Sequence, residues 1–221
     1  MSNLRVRLKQ NRIIRYIVYQ YRAFGENHSF IHGHNNSIKV RGIRVKSVFQ
    51  IKGDNNLIEV KSGAVIKKCK LFIRGNNNRV LLDFNAILDG TTIHIEDNGC
   101  TVEIGESTYI GPSHLACTED GRAITIGKQC MLSSNIQIRT GDSHSILDSS
   151  GIRINPAKNV IIGDHCWIAE GAKIMKGVHL QNDIIVASGS IVTKSFQPNL
   201  LLGGNPARVL KENVNWDAQR L

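Results

Sequence analysis

Histidine is the side chain that can take up and return a proton near neutral pH. The 221-residue sequence holds eight: His28, His32, His34, His94, His114, His144, His165 and His179. Only His144, in the string GDSHSI, falls in the one long segment that interrupts the periodic pattern set out below. That makes it the candidate general base for a group such as a hydroxyl, whose own pKa lies far above neutrality. A base needs an acceptor on its second ring nitrogen. Asp142 or Asp148 can serve, and a backbone carbonyl would do equally well. Ser134 and Asn135, just upstream, are candidates to face the molecule acted on, although Ser and Asn are also common at tight turns for structural reasons. His28, His32 and His34 form an H-x3-H-x-H string, but they lie at the start of the repeats and not at paired positions, so no metal site is expected. Five cysteines (Cys69, Cys100, Cys117, Cys130, Cys166) form no CxxC pair and are odd in number, which points to reduced, buried thiols.

The elements that must position these residues are short strands. Aromatics make up only 5% of the chain, against 20 glycines and abundant Ile and Val, a balance that suits many small-residue strands and not a helical bundle. From Ile162 an aliphatic residue recurs every sixth position: Ile162, Ile168, Ile174, Leu180, Val186, Val192. Two residues before five of these come Cys166, Ala172, Val178, Ile184 and Ser190, so inward-facing pairs recur at strand alternation, most of them reading as a smaller residue followed by a larger one. Three such strands make a triangular coil, and coils stack by burying their apolar edges on one another. Upstream the period is 22: Ile58, Val80, Val102 and Ile124 form one column, and Ile66, Leu88, Ile110 and Leu132 another. The same coils there carry a short corner loop, as in KGDNNL and RGNNNR, rich in residues that tolerate left-handed backbone angles.

At the next corner about fifteen extra residues project, over 140–159, and long loops on rigid scaffolds are where function concentrates. The expected fold is all-β: a left-handed parallel β-helix of about seven triangular coils over 30–195, with an N-terminal helical cap and a C-terminal capping tail. The cap rests on Ile13, Ile14, Ile17, Val18 and Tyr21 at helical spacing within a basic segment, 1–29; the tail is 196–221.

Charge is unevenly placed. Residues 1–50 hold ten Lys/Arg against the single acid Glu26, and so supply +9 of the net +10. That asymmetry implies an anionic partner, a charged polysaccharide or a membrane surface, with nucleic acid not expected. No apolar run approaches the roughly 18 residues of a membrane span, and no signal-peptide pattern opens the chain. A cytoplasmic protein is expected, with a peripheral position at the inner face of the membrane as the variant.

The strings IIGDHCWIAEGAKIMKGVHL (161–180), VASGSIVTKS (186–195) and GGNPARVL (203–210), in that order and spacing, resemble the hexapeptide-repeat acyltransferases, and among them the sugar and capsular-polysaccharide O-acetyltransferases. The resemblance spans roughly 100–211. It implies a homotrimer in which acetyl-CoA, the acetyl donor, binds between neighbouring β-helices, and an acidic or neutral glycan as acceptor. It implies that His144 is the base and that Trp167, 23 residues on, lies beside the thiol end of CoA; an ordinary outward-facing aromatic is the alternative for Trp167. It further implies that Ser188 meets the pantetheine arm, and that Thr193, Lys194, Arg208 and Lys211 serve the adenosine phosphates, chemistry that suits fixed cations. His165 and Cys166 depart from the family pattern. Alternatives on the same fold are an amino-sugar N-acetyltransferase, a zinc enzyme like the γ-class carbonic anhydrases, and a non-catalytic scaffold.

Overall fold

The computed structural model describes residues 26–219. The expected helical cap, and six of the ten basic residues of 1–50, lie outside them. Among the described residues, alternating apolar and polar side chains yield twenty-four short strands. These stack into three sheets of eight, seven and nine strands, which we call faces A, B and C. The chain visits A, B and C in turn and then repeats, each strand parallel to its equivalent one coil away, so the molecule is a parallel β-helix.

The register explains the two periods. On face A, Val48, Lys70, Thr92 and His114 align at steps of 22. On face B the step from Ile124 to Val160 is 36, and from Ile161 to His179 it is 18. Among the described residues the stack holds seven complete coils and an abbreviated eighth, one more than expected. The eighth escapes the hexapeptide pattern because its face B strand is reduced to a single bridge between Leu180 and Phe196. Its face C strand, Leu200–Gly204, pairs with Ile185–Val186, and the chain then turns back as the antiparallel strand Ala207–Glu212.

The interior is one continuous column of aliphatic side chains, including Phe49, Ile51, Ile58, Leu88, Ile110, Ile138, Ile168 and Leu180, all fully buried. Each contributes on the order of 1.5–3 kcal/mol by leaving water. At the corners between faces A and B the backbone must reverse tightly. Gly53 has φ of 128°, and a Cβ there would sit 2.1 Å from the carbonyl oxygen of Gly75, so only glycine fits. Beside it runs a buried asparagine ladder: Asn56 Oδ1 accepts from Asn78 N–H at 2.9 Å, Asn78 Oδ1 accepts from Cys100 N–H at 2.8 Å, and Asn78 Nδ2 donates to the Asp97 carbonyl at 2.9 Å. Each asparagine thus pairs backbone groups that the turn would otherwise leave orphaned.

Candidate active site

The long insertion leaves face A after the strand Gln137–Arg139 and returns to face B at Val160–Ile162, so it projects from the A/B corner. Its root is fixed by Thr140, buried, whose hydroxyl donates to the Thr118 carbonyl and accepts from the Thr118 N–H. Beyond the root the loop forms a small hairpin closed by a bridge between Leu147 and Arg153, with Asp148 Oδ1 accepting from the N–H groups of Ser150 and Ile152 at its tip. Ile146, Leu147, Ile152 and Ile154 on it are 55–64% exposed, so the hairpin is held by polar contacts and not by a core of its own.

Those contacts converge on Asn155, which is only 7% exposed. Its Nδ2 donates to the His144 carbonyl and to Asp142 Oδ2, both at 2.9 Å, while its Oδ1 accepts from Ile146 N–H at 2.7 Å. Lys176, from the next coil, donates to Asp142 Oδ2 and to the Asn155 carbonyl. Glu119, from the preceding coil, receives both arms of the Arg153 guanidinium and the Ala157 N–H. The loop is therefore clamped by one ion pair from the coil before it and one from the coil after. The Lys176 ammonium holds the Asp142 carboxyl below its ordinary pKa, and Arg153 does the same for Glu119.

His144 is exposed, with its backbone carbonyl fixed by Asn155, and among the described residues its ring makes no hydrogen bond. A ring so placed on a clamped backbone is free to face a substrate proton. The Asp142 carboxylate engages Lys176 and Asn155, and no hydrogen bond joins it to the His144 ring. Ser134 and Asn135 occupy the C/A corner, a different edge of the prism from the loop; Ser134 Oγ and Asn135 Nδ2 both donate to Glu170 Oε1. Asn135 has φ of 57°, as a tight turn requires.

Trp167 points outward from face C, 38% exposed, in register between Met131 and Ile185. It belongs to an apolar stripe in which Val65, Ile87, Tyr109, Met131, Trp167 and Ile185 follow one another down the face. Ser188 is exposed at the C/A corner beside it. Arg208 and Lys211 lie on the exposed strand Ala207–Glu212 at the edge of face C, while Thr193 and Lys194 follow the last face A strand, Ile191–Val192. Among the described residues, none of the cations Lys194, Arg208 and Lys211 is paired with a carboxylate, and Lys194 Nζ lies 5.4 Å over the Phe196 ring.

In a triangular prism the A/B corner is the edge opposite face C. The structure thus brings Trp167, Ser188, Arg208 and Lys211 to one side of the chain, and places His144 with its clamp on the other.

Four residues of this region escaped the sequence reading. Asn155, Lys176 and Glu119 act across gaps that no local pattern marks. Trp216, in the tail, donates from Nε1 to the His165 carbonyl at 2.9 Å and stacks on the His165 ring at 4.6 Å, with Trp167 beside it at 6.0 Å. The His165 ring is fixed on its other side by Asp183 at 2.8 Å. Together with Tyr109, Met131 and Gln129, His165 and Trp216 line a depression of about 320 Å3. A second groove, of about 370 Å3 at the B/C corner, holds none of the candidate residues, and its Lys61 is neutralised by Asp83. Among the described residues no three His, Cys, Asp or Glu side chains cluster as metal ligands.

No family model matches the sequence. The polysialic acid O-acetyltransferase of Escherichia coli O1:K1 / APEC is 35% identical over 88 residues, which is 39% of this chain and 29% of that protein. The polysialic acid O-acetyltransferase of Neisseria meningitidis is 32% identical over 91 residues, 40% of this chain and 42% of that protein. These sequence matches thus span less than half of either curated relative. Structural similarity reaches much further. The polysialic acid O-acetyltransferase OatWY superposes with a TM-score of 0.84 at 30% identity, covering 88% of this chain and 92% of that one. The polySia-specific acetyltransferase NeuO gives 0.74 at 28% identity over 88% and 90% of the two chains. With the coil register and the near-complete superposition on OatWY at 30% identity, the chain belongs to the hexapeptide-repeat acetyltransferases, of the capsular-polysaccharide O-acetyltransferase type.

Proposed function

We propose that the protein transfers the acetyl group of acetyl-CoA to a hydroxyl of an acidic polysaccharide, with His144 as general base. The observation that carries this reading is the superposition on OatWY at 30% identity over 92% of that chain, with His144 held on a clamped, projecting loop. In the reaction the His144 imidazole takes the hydroxyl proton as the oxygen attacks the thioester carbonyl. The tetrahedral intermediate then collapses, the C–S bond breaks, and the departing CoA thiolate receives the proton from the imidazolium.

One chain holds His144 on the opposite side from Trp167, Ser188, Arg208 and Lys211, while Thr193 and Lys194 follow a face A strand, so the reading requires assembly. We place a second copy's A/B corner against face C, within a homotrimer. The exposed apolar stripe of face C supports this, because contiguous apolar surface marks interfaces. Trp167 then lies beside the thioester, and Lys194, Arg208 and Lys211 offer unpaired cations to the CoA phosphates. The five buried free cysteines suit a reducing cytoplasm, where acetyl-CoA is made.

The test is thiol release from acetyl-CoA against polysialic acid, a neutral oligosaccharide and an amino sugar. We expect acidic-polymer-dependent release that yields a base-labile ester. His144→Ala should lower kcat by about 10²- to 10⁴-fold with acetyl-CoA affinity and Tm unchanged, while His179→Ala, on face B, should have no effect. Exclusive turnover of the amino sugar would replace the ester reading with amide formation. Full activity in His144→Ala would remove the base.

A further inference from the structure

The three faces of the prism carry different outward chemistry, visible only once the register is known. Face C is the apolar stripe described above. Face B carries as many carboxylates as cations at its outward strand positions: Glu59 and Glu103 against Lys39 and Arg79. Face A is different. Its outward positions hold Lys52, Lys70, Arg74, Arg139 and Lys173, and the single carboxylate Glu96, which is already bonded to Arg74 at 3.1 Å. Only one of these five cations, Lys173, comes from the hexapeptide half, and none comes from the first fifty residues, so the face carries positive charge well beyond the basic N-terminus.

Between the cations runs a central lane in which Phe30, Gln50, Phe72, His94, Ala116 and Arg139 follow one another coil by coil. Phe30 is 53% exposed, and the Phe72 and His94 rings lie 6.3 Å apart. Phe30, Phe72 and the His94 ring stand in the middle, with Lys52 and Arg74 on adjacent coils of one flank and Lys70 and, four coils on, Lys173 on the other, an arrangement that matches a ribbon-like chain that shows sugar faces inward and carboxylates outward. The lane also ends in a useful place. Arg139, its last cation before the insertion, donates to Ser143 Oγ at 3.2 Å, and Ser143 is the neighbour of His144.

We propose that face A is the track along which a long acidic polysaccharide lies, parallel to the solenoid axis, so that successive sugars reach the loop at 140–159. What happens to the polymer at the end of the track rests on the acetyltransferase reading above. Binding to the track does not, and the two are separable.

Two variants of the full chain, each removing two positive charges, test it: Lys52→Ser/Lys70→Ser/Phe72→Ser on face A, and Lys39→Ser/Arg79→Ser on face B. Labelled polysialic acid is titrated without acetyl-CoA, and melting curves confirm that both variants remain folded; Lys70→Glu alone serves if the triple variant does not fold. The face A variant should raise Kd for the long polymer roughly tenfold or more and flatten its salt dependence, while the face B variant stays within about twofold of wild type. In turnover, KM for the long polymer should rise with face A alone, with kcat on a short acceptor kept. Equal losses from the two variants would reduce the effect to net charge and overturn the track, as would wild-type affinity in the face A variant or no polymer binding by the wild type. Binding that follows the face A pattern without turnover of any acceptor would leave the track standing and overturn the acetyl-transfer reading instead.

Discussion

Asn155→Ala tests whether the loop geometry, and not merely the presence of His144, sets the rate. The substitution removes three short hydrogen bonds, to Ile146 N–H, Asp142 Oδ2 and the His144 carbonyl, and a longer one from Arg153 Nε at 3.3 Å. At about 1 kcal/mol net for each short bond, roughly 3 kcal/mol of hairpin order is lost, which corresponds to about a 10²-fold shift toward the open loop. Because part of that shift is absorbed by the Lys176 and Glu119 clamps, which do not use the Asn155 side chain alone, we expect kcat to fall roughly tenfold and at most about 10²-fold. Acetyl-CoA affinity should hold. The global melt should move little, since the hairpin's large apolar residues are exposed and none belongs to the core. The assay pairs steady-state thiol release with amide hydrogen exchange, and exchange should accelerate selectively over 142–157. Unchanged exchange there would show that Asn155 does not hold the hairpin. Accelerated exchange with unchanged kcat would show that the ordered hairpin is not needed for turnover, and either result refutes the reasoning.

Acid should open the same clamp. Asp142 and Glu119 are both held below their ordinary pKa by Lys176 and Arg153, so their contribution is complete above the usual carboxylate range near pH 4 and is lost as pH falls through the lower folded values; limited proteolysis of the hairpin should be flat from neutrality to about pH 5 and rise below about pH 4. Tyr109→Glu/Met131→Glu puts charge into the face C stripe without touching the core; if the proposed trimer forms through that stripe, sedimentation velocity should show a trimer for the parent and a monomer for the variant, with the secondary structure kept. Asn78→Ala strands the buried Cys100 N–H and the Asp97 carbonyl, at a cost of about 2–4 kcal/mol, and calorimetry should record a Tm drop on the order of 5–15 °C.

The amino-acid sequence alone determined the parallel β-helix, the coil lengths and the place of the insertion. The reason is physical: whether a strand residue points in or out alternates locally, and Ile58, Val80, Val102 and Ile124 repeat because each must bury on its neighbour. It also singled out His144, because a histidine outside every repeat stands where no packing rule requires one. The abbreviated eighth coil was missed, since a single bridge at Phe196 leaves no period to read. What only the tertiary structure decided are the contacts made across coils. Asp142 meets Lys176 and Glu119 meets Arg153, each 34 residues apart, and Trp216 reaches back 51 residues to His165. Side-chain reach and register set these distances, and the register steps change from 22 to 36 to 18 around the loop. The same steps decide which outward residues share a face, and so why Lys52, Lys70 and Arg74 flank a lane that leads to Arg139 while Trp167 stands on the far side of the prism from His144.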